Sequence, residues 1–317
     1  MHNYLDFEKP VSDLEAKIHE LKKLSSENEK KDFSEEIQKL ETTVYAILSE
    51  IYSKLTPWQK TQVSRHPDRP RFIDYVSTLF THFMPLSGDR FFGDDPAMQA
   101  GIARFHGQSV VVIGQEKGSD TMSRIKHNFG SARPEGYRKA VRMMRIADRF
   151  ELPIISFVDT AGAYPGIDAE ERGQGEAIAR STEMCLNVRA PIITIIIGEG
   201  GSGGAMGIAA ADRVYMLENS IYSVISPEGA ASILWRDPSR AEQAATAMKI
   251  TANDLKDFSI IDDIILEPVG GAHRNPTQMI SAVEEIISSA LEDISRYSGE
   301  EIRQKRHQKY LNIGRNL

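Results

Sequence analysis

Six glycines fall within Gly198–Gly207, "GEGGSGGAMG", directly behind the apolar run "APIITIII". Glycine carries no Cβ and tolerates positive φ, so consecutive amides in such a segment can point at one small anionic group. A second segment of this kind, "DTAGAYPG" (Asp159–Gly166), follows the apolar run "LPIISFV" earlier in the chain. Two such loops from neighbouring strands would converge on one oxygen. The positive end of a short helix expected at Gly204–Ala211 would assist them in stabilising an enolate or another developing oxyanion. Tight strand–helix packing is the alternative use of the same glycines.

Gly198, Gly200 and Gly203 also spell G-x-G-x-x-G, with Glu218 near the offset of a ribose-binding carboxylate, so a dinucleotide-binding oxidoreductase is a third reading. Spacing speaks against it. In that fold the glycine turn opens a long crossover helix, whereas only nine residues separate Gly203 from the strand expected at Arg213. About two turns of helix are too short to return beside a parallel strand. No nucleophile–base constellation is expected either: no G-x-S-x-G elbow is expected, H-E-x-x-H is absent, and Ser202 has no histidine close to it in sequence. Asp159 reads equally as a catalytic carboxylate or as a turn residue binding local amides. His273, in "GGAHRNP", reads as capping its loop.

The third chemical feature is charge. The chain of 317 residues carries a formal net charge of −7, yet Met122–Arg149 holds eight Lys/Arg against Glu135 and Asp148. A polyanionic small molecule would require such an excess, and a solvated helix face or ion pairs to a partner subunit explain it equally well. The acidic total argues against a nucleic-acid surface.

The elements that must position these residues follow from periodicity. Leu14, Ile18, Leu21 and Leu24, then Phe33, Ile37, Leu40, Val44, Ile47, Ile51 and Leu55, form two helical seams joined by the polar turn "SSENEKKD". This hairpin and the connector "RHPDRPR" occupy residues 1–85. Residues 86–317 then alternate between strands and helices, ending in C-terminal helices from Pro276. "AGIARF" and "QSVVVIGQEKG" are strands joined by a tight turn, and Pro134 opens a helix with Ala140, Met143, Met144 and Ala147 inward. A helix is expected at Ala169–Leu186, and further strands in "RVYML", "IYSVIS" and "IIDDIIL". Continuous apolar strands alternating with helices indicate an α/β fold with a largely parallel sheet. The composition, 41% hydrophobic and 26% charged, is that of a globular protein, and Cys185 is the single cysteine. No apolar run approaches the roughly 20 residues of a membrane span, and the first residues lack a signal peptide's apolar core, so a cytoplasmic location is expected.

Five segments carry a resemblance: "NFGSARPEGYRKA", "DTAGAYPG", "GEGGSGGA", "YSVISPEGAASILW" and "EPVGGAHRNP". With the opening "LDFEKPVSDLEAKI", they resemble the alpha subunits of bacterial acetyl-coenzyme A carboxylase carboxyltransferase along nearly the whole chain. Family members usually have Pro where Ala161 stands and Cys where Ala230 stands; the first departure bears on the shape of the first loop. The resemblance implies a crotonase-like (ClpP/crotonase) spiral of ββα units with an N-terminal helical hairpin extension. It implies an α2β2 carboxyltransferase working with a biotin carboxylase and a biotinyl carrier protein. The reaction would move a carboxyl group from carboxybiotin on the carrier to acetyl-CoA, giving malonyl-CoA for fatty-acid synthesis. No metal is implied in this chain, and zinc is implied in the beta subunit. Carried onto these residues, the amides of Gly203 and Gly204, with those of Ala163 and Tyr164, would hold the biotin ureido oxygen. Arg124, Lys126, Arg138 and Arg142 become candidates for coenzyme A phosphate or inter-subunit contacts. A stand-alone crotonase-type acyl-CoA hydratase or isomerase is the alternative; it would need a carboxylate base, with Glu176 or Asp159 first in line.

Overall fold

The apolar runs become adjacent strands of one eight-stranded sheet in the computed structural model, which describes residues 3–27 and 33–315. The strands are β1 (Thr81–Pro85), β2 (Met98–Phe105), β3 (Gln108–Gln115), β4 (Ile154–Thr160), β5 (Ile192–Gly201), β6 (Arg213–Leu217), β7 (Ile221–Ser223) and β8 (Asp263–Ile265). Their spatial order is β1-β2-β3-β4-β5-β6-β8, with β7 added to β5. β1, β2 and β3 are antiparallel neighbours, and every pairing from β3 onward is parallel. Burial on both faces explains why β4 and β5 read as unbroken apolar runs. Ile154, Val158, Ile192 and Ile196 face helices Pro134–Phe150, Gln174–Asn187 and Ser202–Ala209. Ile155, Phe157, Ile193 and Ile195 face helices Phe72–Leu79 and Pro276–Ile294 on the other side. Two polar residues interrupt the first face, and they satisfy each other: the Ser156 and Thr194 hydroxyls lie 2.6 Å apart, and both reach the Ile208 carbonyl.

β5 is long enough to serve two neighbours. Its first half, Ile193–Ile196, pairs with β6, while Glu199–Gly201 runs on to pair with β7. The glycine segment therefore emerges beyond β6, at the carboxyl edge of the sheet.

The N-terminal helices Lys9–Glu27 and Ser34–Tyr52 pack through Ile18 and Val44 of the expected seams, and through Val11 and Leu48, which the seams did not include. Residues 28–32 of the expected turn lie outside the described residues. Helix Phe72–Leu79 and β1, both before residue 86, join the sheet and its core. Three sequence expectations shift. The helix expected at Ala169–Leu186 is two helices, Ile167–Glu171 and Gln174–Asn187, because Gly173 adopts φ +81° and resets the axis. The short helix after the second glycine loop begins earlier, at Ser202, and ends at Ala209. "IYSVIS" is strand only over Ile221–Ser223, since Ser226 caps a new helix, Pro227–Trp235. Ala230 and Ala231 pack that helix on Ala244 of the helix Ala241–Met248.

Two buried arginines tie distant segments together. Arg69, from the connector, makes a bidentate pair with Glu267 at 2.7 and 2.9 Å and donates to the Ile197 carbonyl. Burial alone would raise the Glu267 carboxyl, but Arg69 and donors from Ala272 and Asn219 outweigh it and hold it below the usual range. Arg306, from the helix Gly299–Asn312, chelates Asp212 at 2.5 and 2.9 Å and donates to the carbonyls of Cys185, Val188 and Ala190.

Candidate functional site

The two glycine loops meet backbone to backbone. A Cβ built on Gly201 would stand 2.1 Å from the Ala161 carbonyl oxygen. One on Gly204 would stand 2.6 Å from both the Ala163 nitrogen and the Gly162 carbonyl carbon. These glycines are needed because a neighbouring main chain occupies the space a side chain would take. The two loops are thus in main-chain contact, with Gly204 against Gly162–Ala163 at its centre, and the glycines serve the close packing that was the alternative reading of them.

Ser202 turns the chain from β5 into the helix Ser202–Ala209 with φ +55°. First-turn amides of a helix have no intrahelical acceptor, and Gly201 at the N-cap supplies no side-chain cap. The amides of Gly203 and Gly204 consequently have neither an intrahelical acceptor nor a side-chain cap. Gly203 is half-buried, and a Cβ there would meet only the side chain of Ile178, at 3.2 Å.

The first loop is more heavily committed. The Gly162 amide donates to Thr160 Oγ1, and the Tyr164 amide donates to the Ala132 carbonyl at 2.9 Å. Tyr164 is therefore corrected as an amide donor for a ligand: its N–H is used in tying the loop to the segment before Pro134. The Ala163 amide donates to none of the described residues. The Tyr164 ring instead lies under Arg133, whose guanidinium carbon is 4.1 Å from the ring centre.

Two buried glutamines fix the loops. Gln115, at the end of β3, accepts from the Asp159 amide at 3.2 Å and donates to the Gly204 carbonyl at 3.1 Å. Gln174 donates to the carbonyls of Ala132 and Tyr164, each at 2.9 Å. Gln115 thereby links the base of the first loop to the first turn behind the second. Sequence reasoning missed both residues; the one local signal was a polar residue ending the apolar run of β3.

The expected carboxylates are occupied. Asp159 Oδ1 accepts from the Glu199 amide at 2.9 Å and pairs with Lys117 Nζ at 2.6 Å. Gly198 leaves room for that carboxylate, since its Cβ would fall 2.5 Å from Oδ1. Among the described residues Asp159 thus binds no local amide as a turn residue would; its carboxylate ties the first loop to the end of β5 and to Lys117. Glu176 is exposed and paired with Arg180 of its own helix at 2.9 Å. Glu218, the ribose candidate, accepts from the Glu267 amide. Beneath the segment before Pro134, burial pushes the Asp95 carboxyl up to about 6, against amide donors at Ala97 and Arg133.

Arg124, Lys126, Arg138 and Arg142 do not form one cluster. Arg138 pairs with Asp89 at 2.8 Å and donates to the Arg172 carbonyl, while Arg142 donates to the carbonyls of Leu86 and Ser87. Both brace the loop between β1 and β2. Arg124 and Lys126 lie on the separate helix Thr121–Lys126.

The expectation of no G-x-S-x-G elbow is corrected: Gly200–Gly204 has that spacing, and the Ser202 turn has the strand-to-helix geometry the motif denotes. The Ser202 side chain has no hydrogen-bond partner among the described residues, so no base is set against it. His273 stacks on His66, ring centres 3.8 Å apart, near Glu8. His66 Nδ1 accepts from the Asp68 amide and Nε2 faces the Asn3 carbonyl, leaving no lone pair for a metal.

Comparison with known proteins places this geometry in a family. The model of the family described as acetyl co-enzyme A carboxylase carboxyltransferase-like matches residues 4–314. The chain belongs to that family. Proteins named acetyl-coenzyme A carboxylase carboxyl transferase subunit alpha are 69% identical in Rhizobium meliloti (strain 1021) and 66% identical in Agrobacterium fabrum, each over 100% of both chains. Among solved structures, a transcarboxylase 12S with methylmalonyl-coenzyme A bound aligns with TM-score 0.58 at 20% identity, over 70% of this chain. The chain spans 41% of that larger protein. A Pseudomonas malonate decarboxylase hetero-tetramer in complex with coenzyme A gives TM-score 0.55 at 17% identity, over 64% of this chain and 82% of its own. The fold is crotonase-like, as expected of this family.

Proposed function

We propose that this chain is the alpha subunit of an acetyl-coenzyme A carboxylase carboxyltransferase, moving a carboxyl group from carboxybiotin to acetyl-CoA together with a beta subunit. The observation that carries the reading is the uncapped first turn at Ser202–Gly204, packed on the main chain of Gly162–Ala163. Full-length relatives bearing that subunit name support it. The free amides fit a biotin ureido oxygen because they are neutral donors, already fixed in place, with no competing cap. The group brings a carboxyl bound to a ring nitrogen, and its loss leaves negative charge on the ureido oxygen. Gly203 and Gly204, with Ala163 opposite, would donate to that oxygen more strongly as the charge grows, which would lower the barrier rather than merely bind the substrate. No side-chain base is needed in this chain if the freed ring nitrogen takes the acetyl methyl proton.

The finer assignments belong to the same proposal: an α2β2 core, zinc in the beta subunit, a biotinyl carrier protein and biotin carboxylase as partners, and a cytoplasmic setting. Among the described residues no helix is long and apolar enough to cross a membrane. The test is reconstitution. Malonyl-CoA–biotin transcarboxylation is expected only when this chain is combined with a cognate beta chain. Turnover of an enoyl-CoA by this chain alone would instead favour the hydratase reading.

A further inference from the structure

Beside the first glycine loop lies a recess of about 230 Å³, bounded by the connector, the segment after β3 and Ala161. Five cations line it, against Asp159 and Glu199. Two of them are consumed where they stand: Arg69 by Glu267, and Arg65 by Glu199 and Glu228. The other three are not. Arg71 uses Nε on Asp74 at 3.3 Å, and Arg124 uses Nε on the Gly118 carbonyl at 3.5 Å. The terminal guanidinium nitrogens of both donate to no acceptor among the described residues. Lys117 Nζ has one anionic contact, Asp159. Guanidinium forks that stay half-buried with unused donors match an oxyanion and lose less of their attraction to solvent than a surface charge would.

We propose that this recess is an oxyanion subsite, in which Arg71, Arg124 and Lys117 hold a carboxylate or phosphate group of the acyl-CoA that reacts with the biotin held at the glycine loops. The inference rests on the carboxyltransferase reading and adds to it a second polar anchor. Two sources share the chemistry: the carboxylate that distinguishes malonyl-CoA from acetyl-CoA, and the ribose phosphate common to both. Arg138 and Arg142, spent on the loop between β1 and β2, have no part in it.

The test uses the chain assembled with its beta subunit. Arg71→Gln, Arg124→Gln and the double variant are titrated calorimetrically with malonyl-CoA, acetyl-CoA and acetyl-dephospho-CoA. Loss of charge-assisted hydrogen bonds is expected to weaken binding of the recognised ligand about 10- to 100-fold. Weakening confined to malonyl-CoA identifies the carboxylate; weakening of malonyl-CoA and acetyl-CoA, but not of the dephospho ligand, identifies the phosphate. Equal weakening of all three ligands, or none, overturns the proposal. Arg71→Lys and Arg124→Lys keep the charge and are expected to recover most of the affinity, and thermal melting confirms that the complexes are folded. If the wild-type complex shows no transcarboxylation, the parent reading fails instead, a result separable from unchanged binding by the variants.

Discussion

In the first loop, Thr160 and Ala132 consume the amides of Gly162 and Tyr164, whereas the amides of Gly203 and Gly204 in the second open a helix without a side-chain cap. The two segments share a glycine-rich composition and a position behind a buried strand. They differ in what closes them. The first is pinned from outside by Gln174 and a threonine hydroxyl, so most of its polar groups serve the loop's own shape. The second is pinned by becoming a helix, and a helix start leaves donors over by construction. One loop is therefore largely a wall, with the Ala163 amide left over, and the other a source of donors. Glycine content alone does not separate these roles; the fate of each amide does.

The sharpest way to break this comparison is Gly204→Ala. The added Cβ would collide with main chain on the facing loop, which cannot rotate away. Transcarboxylation by the complex is expected to fall by about 10²–10³, the cost of displacing an oxyanion donor, with circular dichroism confirming the fold. Activity near wild type would show that the loops need not touch. Next in size is Gln115→Glu, which sets a second acceptor against the Gly204 carbonyl. A buried acceptor left without its donor costs about 1–3 kcal/mol. A lower melting temperature and a lower kcat at little-changed KM are expected, whereas Gln174→Glu, acting on the wall, should lower stability with a smaller effect on kcat. If the two glutamines give the same kcat loss, the division of roles is wrong. The smallest effect is expected from Gly203→Ala. Its Cβ meets only the Ile178 side chain, and alanine favours a helix by about 1 kcal/mol over glycine. Activity should stay within about tenfold of wild type, because the amide itself is kept; a loss as large as that of Gly204→Ala would mean that the open side of the turn is also filled by ligand.

Strands, order of elements and loop positions were legible because β4 and β5 are apolar on both faces and lead into glycine-containing loops, a pattern that depends on neighbours in sequence. What escaped was set by distance along the chain. Gln115 bonds groups 44 and 89 residues away, and nothing around it marks that reach. The count of basic residues in Met122–Arg149 was correct but uninformative about availability. Arg138 and Arg142 are turned toward Asp89 and the carbonyls of Leu86 and Ser87, partners in a loop some fifty residues earlier. Arg71, outside that segment, kept its donors and attracted no notice. The break at Gly173 was written in the sequence as a glycine, yet a glycine inside a helical pattern is compatible with either outcome until its φ is known.

Arg306 has a consequence for the order in which this molecule can be completed. Its guanidinium satisfies three carbonyls and Asp212 around the loop that feeds β5. Synthesis proceeds from the N-terminus, so all four acceptors leave the ribosome long before the donor that closes them. Until that helix emerges, this corner must stay hydrated, because buried carbonyls without donors are costly. The helix Gly299–Asn312 thus acts as a latch, fastening the strand that carries the donor loop only after that strand and its neighbours have been made.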